Sequence, residues 1–211
     1  MKLQLALDVA STKDAMKIIE ETYDYVDILE VGTPLIMAEG LNSVKAIKNA
    51  FPAKTVLADM KIMDGAGIMA AWGYDAGADI VTVQAFTHDY TVRELVRVAH
   101  ERGKLAEVDL MCIKNHKERA EQLMALDVDI ICYHGHAESH RPNEVNMYEI
   151  KKMLEVVPKE KFAVANCLSF ENLENVLKLQ PEIVVVSGPI LGAENMREAA
   201  KTACEIFDGY R

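Results

Sequence analysis

No stretch of this 211-residue chain approaches the apolar length needed to cross a membrane. The opening run Met1-Lys-Leu-Gln-Leu-Ala-Leu-Asp8 is too short, and too soon ended by a charge, to read as a signal peptide. A C-x-x-C pair is also missing: the four cysteines, Cys112, Cys132, Cys167 and Cys204, lie far apart, which excludes a zinc knuckle or dithiol redox motif and fits reduced thiols in a cytoplasmic protein. Three of them, Cys112, Cys132 and Cys167, fall in or beside apolar strand-like runs, where a free cysteine is expected to pack as a small hydrophobe. There is no Pro- or Gly-rich tract, charge block or composition shift to mark a linker, so residues 1–211 read as one domain. Basic side chains are the minority, 23 against 33 acidic for a formal charge of -10, which argues against non-specific nucleic-acid binding. A phosphate ligand would then be held by backbone amides, helix N-termini or a metal rather than by a basic surface.

What the chain does have is the element Asp59-Met60-Lys61-Ile62-Met63-Asp64, closing the apolar run Thr55-Val-Leu-Ala58. Side chains alternate across a strand, so Asp59 and Lys61 share a face while Met60 points away. Asp64 lies beyond the strand, where a turn or helix cap would place a third charge. Taken alone, the pattern is satisfied by a surface ion pair followed by a capped helix.

The rest of the chain changes that reading. Apolar strand-like runs at 3–8, 26–31, 55–60, 79–84, 104–110, 129–133, 162–165 and 183–186 alternate with helical periodicity, giving eight strands and eight helices. Strands separated by crossover helices pair in parallel. Eight such units predict an α/β fold, the (β/α)8 TIM barrel, with a doubly wound open sheet as the competitor. The length is near the lower end of roughly 200 residues for a barrel, leaving little room for insertions. The active site is expected at the C-terminal ends of the strands.

Those ends carry Asp8, Glu30, Asp59 with Lys61, Gln84, Asp109 and His134, at the same end of six successive, otherwise apolar strands. Convergence on one cleft follows if the barrel closes. Four carboxylates there repel one another, and Lys61 compensates only in part. A divalent cation would supply the remainder, and hard oxygen donors without cysteine favour magnesium or manganese over zinc. His134 is the candidate proton carrier; its alternative is a hydrogen-bonded strand-end histidine.

Leu5-Ala-Leu-Asp8, Val26-Asp-Ile-Leu-Glu-Val-Gly-Thr-Pro34, Leu57-Ala-Asp-Met-Lys-Ile-Met-Asp64 and Gly77-Ala-Asp-Ile-Val-Thr-Val83 together resemble the 3-hexulose-6-phosphate synthases of the orotidine 5'-phosphate decarboxylase superfamily. The resemblance runs through nearly the whole chain. It implies a (β/α)8 barrel that forms a homodimer with active sites shared between subunits. It further implies Mg2+ on Glu30 and Asp59, an enediolate stabilised by Lys61, and Asp64 reaching the partner's site. Asp8 belongs to the same implied catalytic set, and Asp109 and His134 would manage protons. The implied reaction condenses D-ribulose 5-phosphate with formaldehyde to D-arabino-hex-3-ulose 6-phosphate. The related 3-keto-L-gulonate 6-phosphate decarboxylases, or another sugar-phosphate enediolate enzyme, are the alternative; a non-catalytic phosphate-binding paralogue is disfavoured because the whole charged set is retained.

The chain departs from its relatives after the last two strands. Asn166-Cys167 stands where a Gly-Gly turn is common, and Ser187-Gly188-Pro189 keeps one glycine without the decarboxylases' arginine. Asn166 and Ser187 can donate hydrogen bonds and Gly188 permits close backbone approach, so these three are the expected phosphate contacts. Two other patterns are weaker. Gly65-Ala-Gly67-Ile-Met-Ala70 fits G-x-G-x-x-A, but the next strand ends in Gln84 rather than an acid for a ribose. His134, His136 and His140 match no usual zinc spacing.

Overall fold

The computed structural model describes residues 1–135, 145–165 and 168–211. Eight strands, β1 (Lys2–Leu7), β2 (Ile28–Val31), β3 (Thr55–Ile62), β4 (Ile80–Gln84), β5 (Leu105–Asp109), β6 (Ile130–His134), β7 (Phe162–Ala165) and β8 (Ile183–Val185), pair in parallel in sequence order and close into a barrel through β1 and β8. The open-sheet alternative is thereby excluded. Helices α1 (Thr12–Thr22), α2 (Thr33–Glu39), α3 (Asn42–Ala50), α4 (Ala66–Asp75), α5 (Asp89–Glu101), α6 (His116–Met124), α7 (Met147–Met153), α8 (Phe170–Leu177), α9 (Gly188–Leu191) and α10 (Met196–Asp208) surround it.

The strict eight-and-eight alternation is corrected in two places: α2 and α9 are additional helices among the described residues. Each begins at a Gly/Pro-containing stretch that reads in sequence as a break, yet proline in the first turn is pre-organised for a helix because its missing N–H has no intrahelical acceptor there.

Period-2 alternation sorts the core into two parts. Leu3, Leu5 and Leu7 of β1 pack outward with the helices, whereas Ala6, Ile28, Leu57, Ile80, Ile130, Ala163 and Ile183 fill the barrel interior. The N-terminal rim shows a repeated device. Asp27, Asp79 and Asp129 each precede an even strand, and each accepts the backbone amide at the start of the strand before it: Leu3 at 2.8 Å, Val56 at 2.9 Å and Ala106 at 2.8 Å. Asp79 is also gripped by Lys48 at 2.7 Å and Lys104 at 2.6 Å. Burial works against its charge, but these two lysines outweigh it and hold the carboxyl below its ordinary value. Charge at this rim therefore serves closure of the barrel, leaving the opposite rim for chemistry.

The glycine pattern after β3 has a packing cause. A Cβ on Gly67 would lie 2.9 Å from Glu94 Oε2, so α4 and α5 approach closely through this position. Of the cysteines, Cys132 is buried as a small hydrophobe, whereas Cys112 is exposed in a left-handed turn after β5 (φ 67°) and Cys204 is intermediate. Cys167 lies outside the described residues.

Candidate active site

Strand β3 positions the central pair, with a distortion that strand periodicity does not reveal. Its pairing with β4 shifts register between Ala58 and Ile62, and Lys61 sits there with φ 44°, a left-handed backbone rare for a side chain of this kind. The Lys61 amide donates to Thr82 Oγ1 at 2.9 Å, which holds the bulge. Strand β3 consequently runs two residues beyond the expected end, and both Asp59 and Lys61 still line the cavity.

The Lys61 ammonium lies 2.9 Å from an Asp59 oxygen and 2.9 Å from Asp109 Oδ2. Burial pulls its proton affinity down, but the two carboxylates outweigh that effect and raise it well above the ordinary lysine range. Asp59 is fixed further by Thr33 Oγ1 and Thr82 Oγ1, each donating at 2.8 Å. His134 Nδ1 lies 2.9 Å from the same Asp109 oxygen that faces Lys61. Burial again opposes the Asp109 charge, and His134 and Lys61 overcome it, holding the carboxyl well below the usual carboxylate range. An ionised Asp109 can only accept, so Nδ1 carries hydrogen and Nε2 is the nitrogen left for proton transfer.

Asp8 and Glu30 complete the ring. Glu30 is buried and accepts from Gln4 Nε2 at 2.7 Å; burial first, then neighbouring Asp59, pushes its carboxyl well above its ordinary value. Burial and Asp59 also raise Asp8. A Cβ on Gly32 would sit 2.2 Å from Asp8 Oδ1, so the glycine of the Val-Gly-Thr-Pro run makes room for that carboxylate. These residues line a cavity of about 1200 Å³ at the C-terminal ends of the strands.

The other expected contacts fall as follows. Ser187 and Gly188 line the β8 side of the cavity; the Ser187 hydroxyl donates to the Ala6 carbonyl at 2.8 Å. Gln84 does not line the cavity but backs Asp109, its Nε2 at 3.4 Å. Asp64 is exposed and away from its own chain's cavity, accepting the Gly65 amide at 2.7 Å. It is not a helix cap: that place belongs to Gly65, in a left-handed conformation. Asn166, His136 and His140 lie outside the described residues.

Strand-end reading missed Gln4, Thr33, Thr82 and Glu107. Gln4, Thr82 and Glu107 lie one inward-facing position or two below a residue it found, so period 2 carried back from Asp8, Gln84 and Asp109 points to them. Thr33 stands in the Gly-Thr-Pro turn, whose capping chemistry masks its reach to Asp59.

Glu107 is only 4% exposed. Burial, then the charges of Asp109 and Asp59, pushes its carboxyl up to about 8, against a smaller opposing effect of Lys61. Between the ordinary glutamate value and about 8 the unfolded chain binds fewer protons than the folded one, so this residue makes stability fall as pH rises through that window. In Glu107→Gln that contribution vanishes. The melting temperature of the wild type relative to the variant is therefore expected to drop between pH 5 and pH 8; a constant difference across this range would refute the assignment.

Five carboxyl groups around a single lysine fit a divalent cation by donor chemistry. No ready-made group of three His, Cys, Asp or Glu ligands occurs among the described residues. Glu30 and Asp59, two hard oxygen donors that repel each other, instead fit an ion completed by substrate oxygens, as magnesium commonly is.

A closed parallel barrel with an acid–lysine–acid–histidine chain at its catalytic rim defines a barrel enzyme. The model of the Orotidine 5'-phosphate decarboxylase / HUMPS family matches residues 1–203, and the chain belongs to that family. It is 37% identical over 207 residues to a 3-hexulose-6-phosphate synthase of Bacillus subtilis, covering 98% of this chain and 99% of the relative. The crystal structure of a 3-hexulose-6-phosphate synthase from Salmonella typhimurium superposes with a TM-score of 0.95 at 35% identity, covering 100% of both chains. The crystal structure of a 3-keto-L-gulonate-6-phosphate decarboxylase from Vibrio cholerae, at 24% identity, shares the fold with a TM-score of 0.85 over 100% of this chain and 98% of that one. By homology the protein is an enzyme of the lyase class, of the 3-hexulose-6-phosphate synthase type.

Proposed function

We propose that the enzyme condenses D-ribulose 5-phosphate with formaldehyde to D-arabino-hex-3-ulose 6-phosphate. The observation carrying this reading is Lys61 held between Asp59 and Asp109 with His134 on the far side of Asp109. That arrangement places fixed positive charge beside a proton-transfer group, as formation of an enediolate requires. His134, through Nε2, takes a proton from C1 of the ketose, and the released pair delocalises onto the C2 oxygen. The Lys61 ammonium stabilises the charge that develops there. C1 then forms the new bond to the formaldehyde carbon, and the resulting alkoxide takes the proton back from His134. Asp109 holds the imidazole in the required tautomer, and Asp8 accepts hydrogen bonds from substrate hydroxyls. Gly188, with Asn166 and with Ser187 once its hydroxyl turns from the Ala6 carbonyl, receives the phosphate; Gly188 is the first residue of α9, where the amide has no intrahelical acceptor. Mg2+, replaceable by Mn2+, would be held by Glu30 and Asp59 and, when bound, supplies positive charge to neighbouring substrate oxygens.

The reading includes a homodimer. Met63, Ile68, Trp72, Phe86 and Tyr90 are exposed large apolar side chains on α4, the start of α5 and the turns beside them, flanking Asp64. Such a patch suits burial against a second copy, which would bring Asp64 to the partner's cavity. The scattered cysteines, read as reduced thiols, support a cytoplasmic location. No helix among the described residues is long and apolar enough to cross a membrane.

Product formation from ribulose 5-phosphate and formaldehyde, with magnesium and with a chelator, is the direct test. Chelation is expected to stop turnover, and Glu30→Gln to shift the magnesium titration to higher concentration, by about tenfold or more. Faster turnover of 3-keto-L-gulonate 6-phosphate would displace the proposed reaction, and an unchanged titration would remove Glu30 from the metal.

A further inference from the structure

Three buried side-chain acceptors have no hydrogen-bond partner among the described residues: Gln4 Oε1, Gln84 Oε1 and Glu107 Oε2. Two of them, on Gln4 and Glu107, line the cavity, below the level of Asp8 and Asp109 on the same strands. β1 and β5 stand four strands apart in a ring of eight, so the two residues face the cavity floor from opposite walls. Gln4 Nε2 already donates to Glu30, and Glu107 interacts with the Cys132 thiol. The nearby Thr82 hydroxyl is engaged with Asp59. The floor thus presents an acceptor on Gln4 and, on Glu107, a carboxyl that donates when protonated and accepts when ionised. Leaving such groups buried without a partner is costly, so an occupant bearing a hydroxyl, which both donates and accepts, suits them and an apolar one does not.

We propose that Glu107 and Gln4 form a deep subsite for the hydroxymethyl hydroxyl of the ketose, making Glu107 a specificity-determining residue that requires a hydroxyl on C1. This rests on the reading of the substrate as a ketose phosphate. A site built to pair a hydroxyl discriminates strongly against the analogue lacking it, because the protein's polar groups are then stranded.

The test is calorimetric binding of D-ribulose 5-phosphate and of its 1-deoxy analogue, without formaldehyde, to the magnesium-loaded wild type, Glu107→Gln and Glu107→Leu, each checked for fold by circular dichroism. Any preference arising from the metal is common to all three proteins and cancels. The preference for the hydroxylated ligand is expected to fall about tenfold in Glu107→Leu and to stay within about threefold in Glu107→Gln, which keeps an acceptor oxygen. An unchanged preference in Glu107→Leu, alongside normal wild-type condensation with formaldehyde, would mean that the floor holds water only and would overturn the subsite while sparing the proposed reaction. Failure of the wild type to bind either ligand would overturn both.

Discussion

Lys61→Ala is expected to lower kcat/KM for condensation on the order of 10³-fold or more while leaving the barrel assembled. The size of the effect follows from where the ammonium sits. Held 2.9 Å from each of two carboxylates, it needs no reorganisation when charge develops on the substrate oxygen. Water entering the space left by the side chain cannot replace it, because solvent dipoles would have to reorient during the reaction. The variant also strands Asp59 and Asp109, and breaking a buried pair can cost roughly 3–5 kcal/mol; here the cost is smaller because the Lys61 side chain keeps 24% of its exposure and water can reach the carboxylates. Lys61→Met keeps the apolar stem and removes only the charge, so the two variants should lose activity equally while Lys61→Met retains more of its melting temperature. Near-wild-type turnover in either, with circular dichroism unchanged, would sink the mechanism.

The sequence made the barrel legible because its strands are buried on both faces and bounded by helical periodicity, a pattern open to little else once repeated eight times. Individual ends were less legible. The β3 bulge at Lys61 depends on a hydrogen bond that its amide donates to a residue 21 positions later, Thr82, and no local propensity encodes it. Helices α2 and α9 were hidden because Gly-Thr-Pro and Ser-Gly-Pro look like breaks in sequence, while in space they serve as helix starts. At the site, reading the last polar residue of each strand found the rim: Asp8, Glu30, Asp59, Lys61, Asp109 and His134 line one cavity. It stopped one layer too high. Glu107 and Gln4 lie on the same inward faces, but a polar residue inside an apolar run looks like an interruption until closure of the barrel shows what it faces.

Mixing Lys61→Ala with Asp64→Ala, two proteins each expected to be nearly inactive, should restore activity. If each site combines Lys61 of one subunit with Asp64 of the other, a hybrid dimer has one site with both residues intact and one with neither. Random exchange makes about half the dimers hybrid, so about a quarter of all sites become complete. Asp64 motivates the experiment by its position: it is exposed and remote from its own cavity, yet lies between Met63 and the exposed Ile68 and Trp72. A surface aspartate with no catalytic part to play would leave turnover unaffected when replaced, so full activity of Asp64→Ala alone would remove it from the site. The two proteins must exchange subunits, which differently tagged copies and pull-down can establish. With hybrids demonstrated, absence of recovery would mean that each chain carries a self-contained site, and the apolar patch around α4 would then need an occupant other than a catalytic partner.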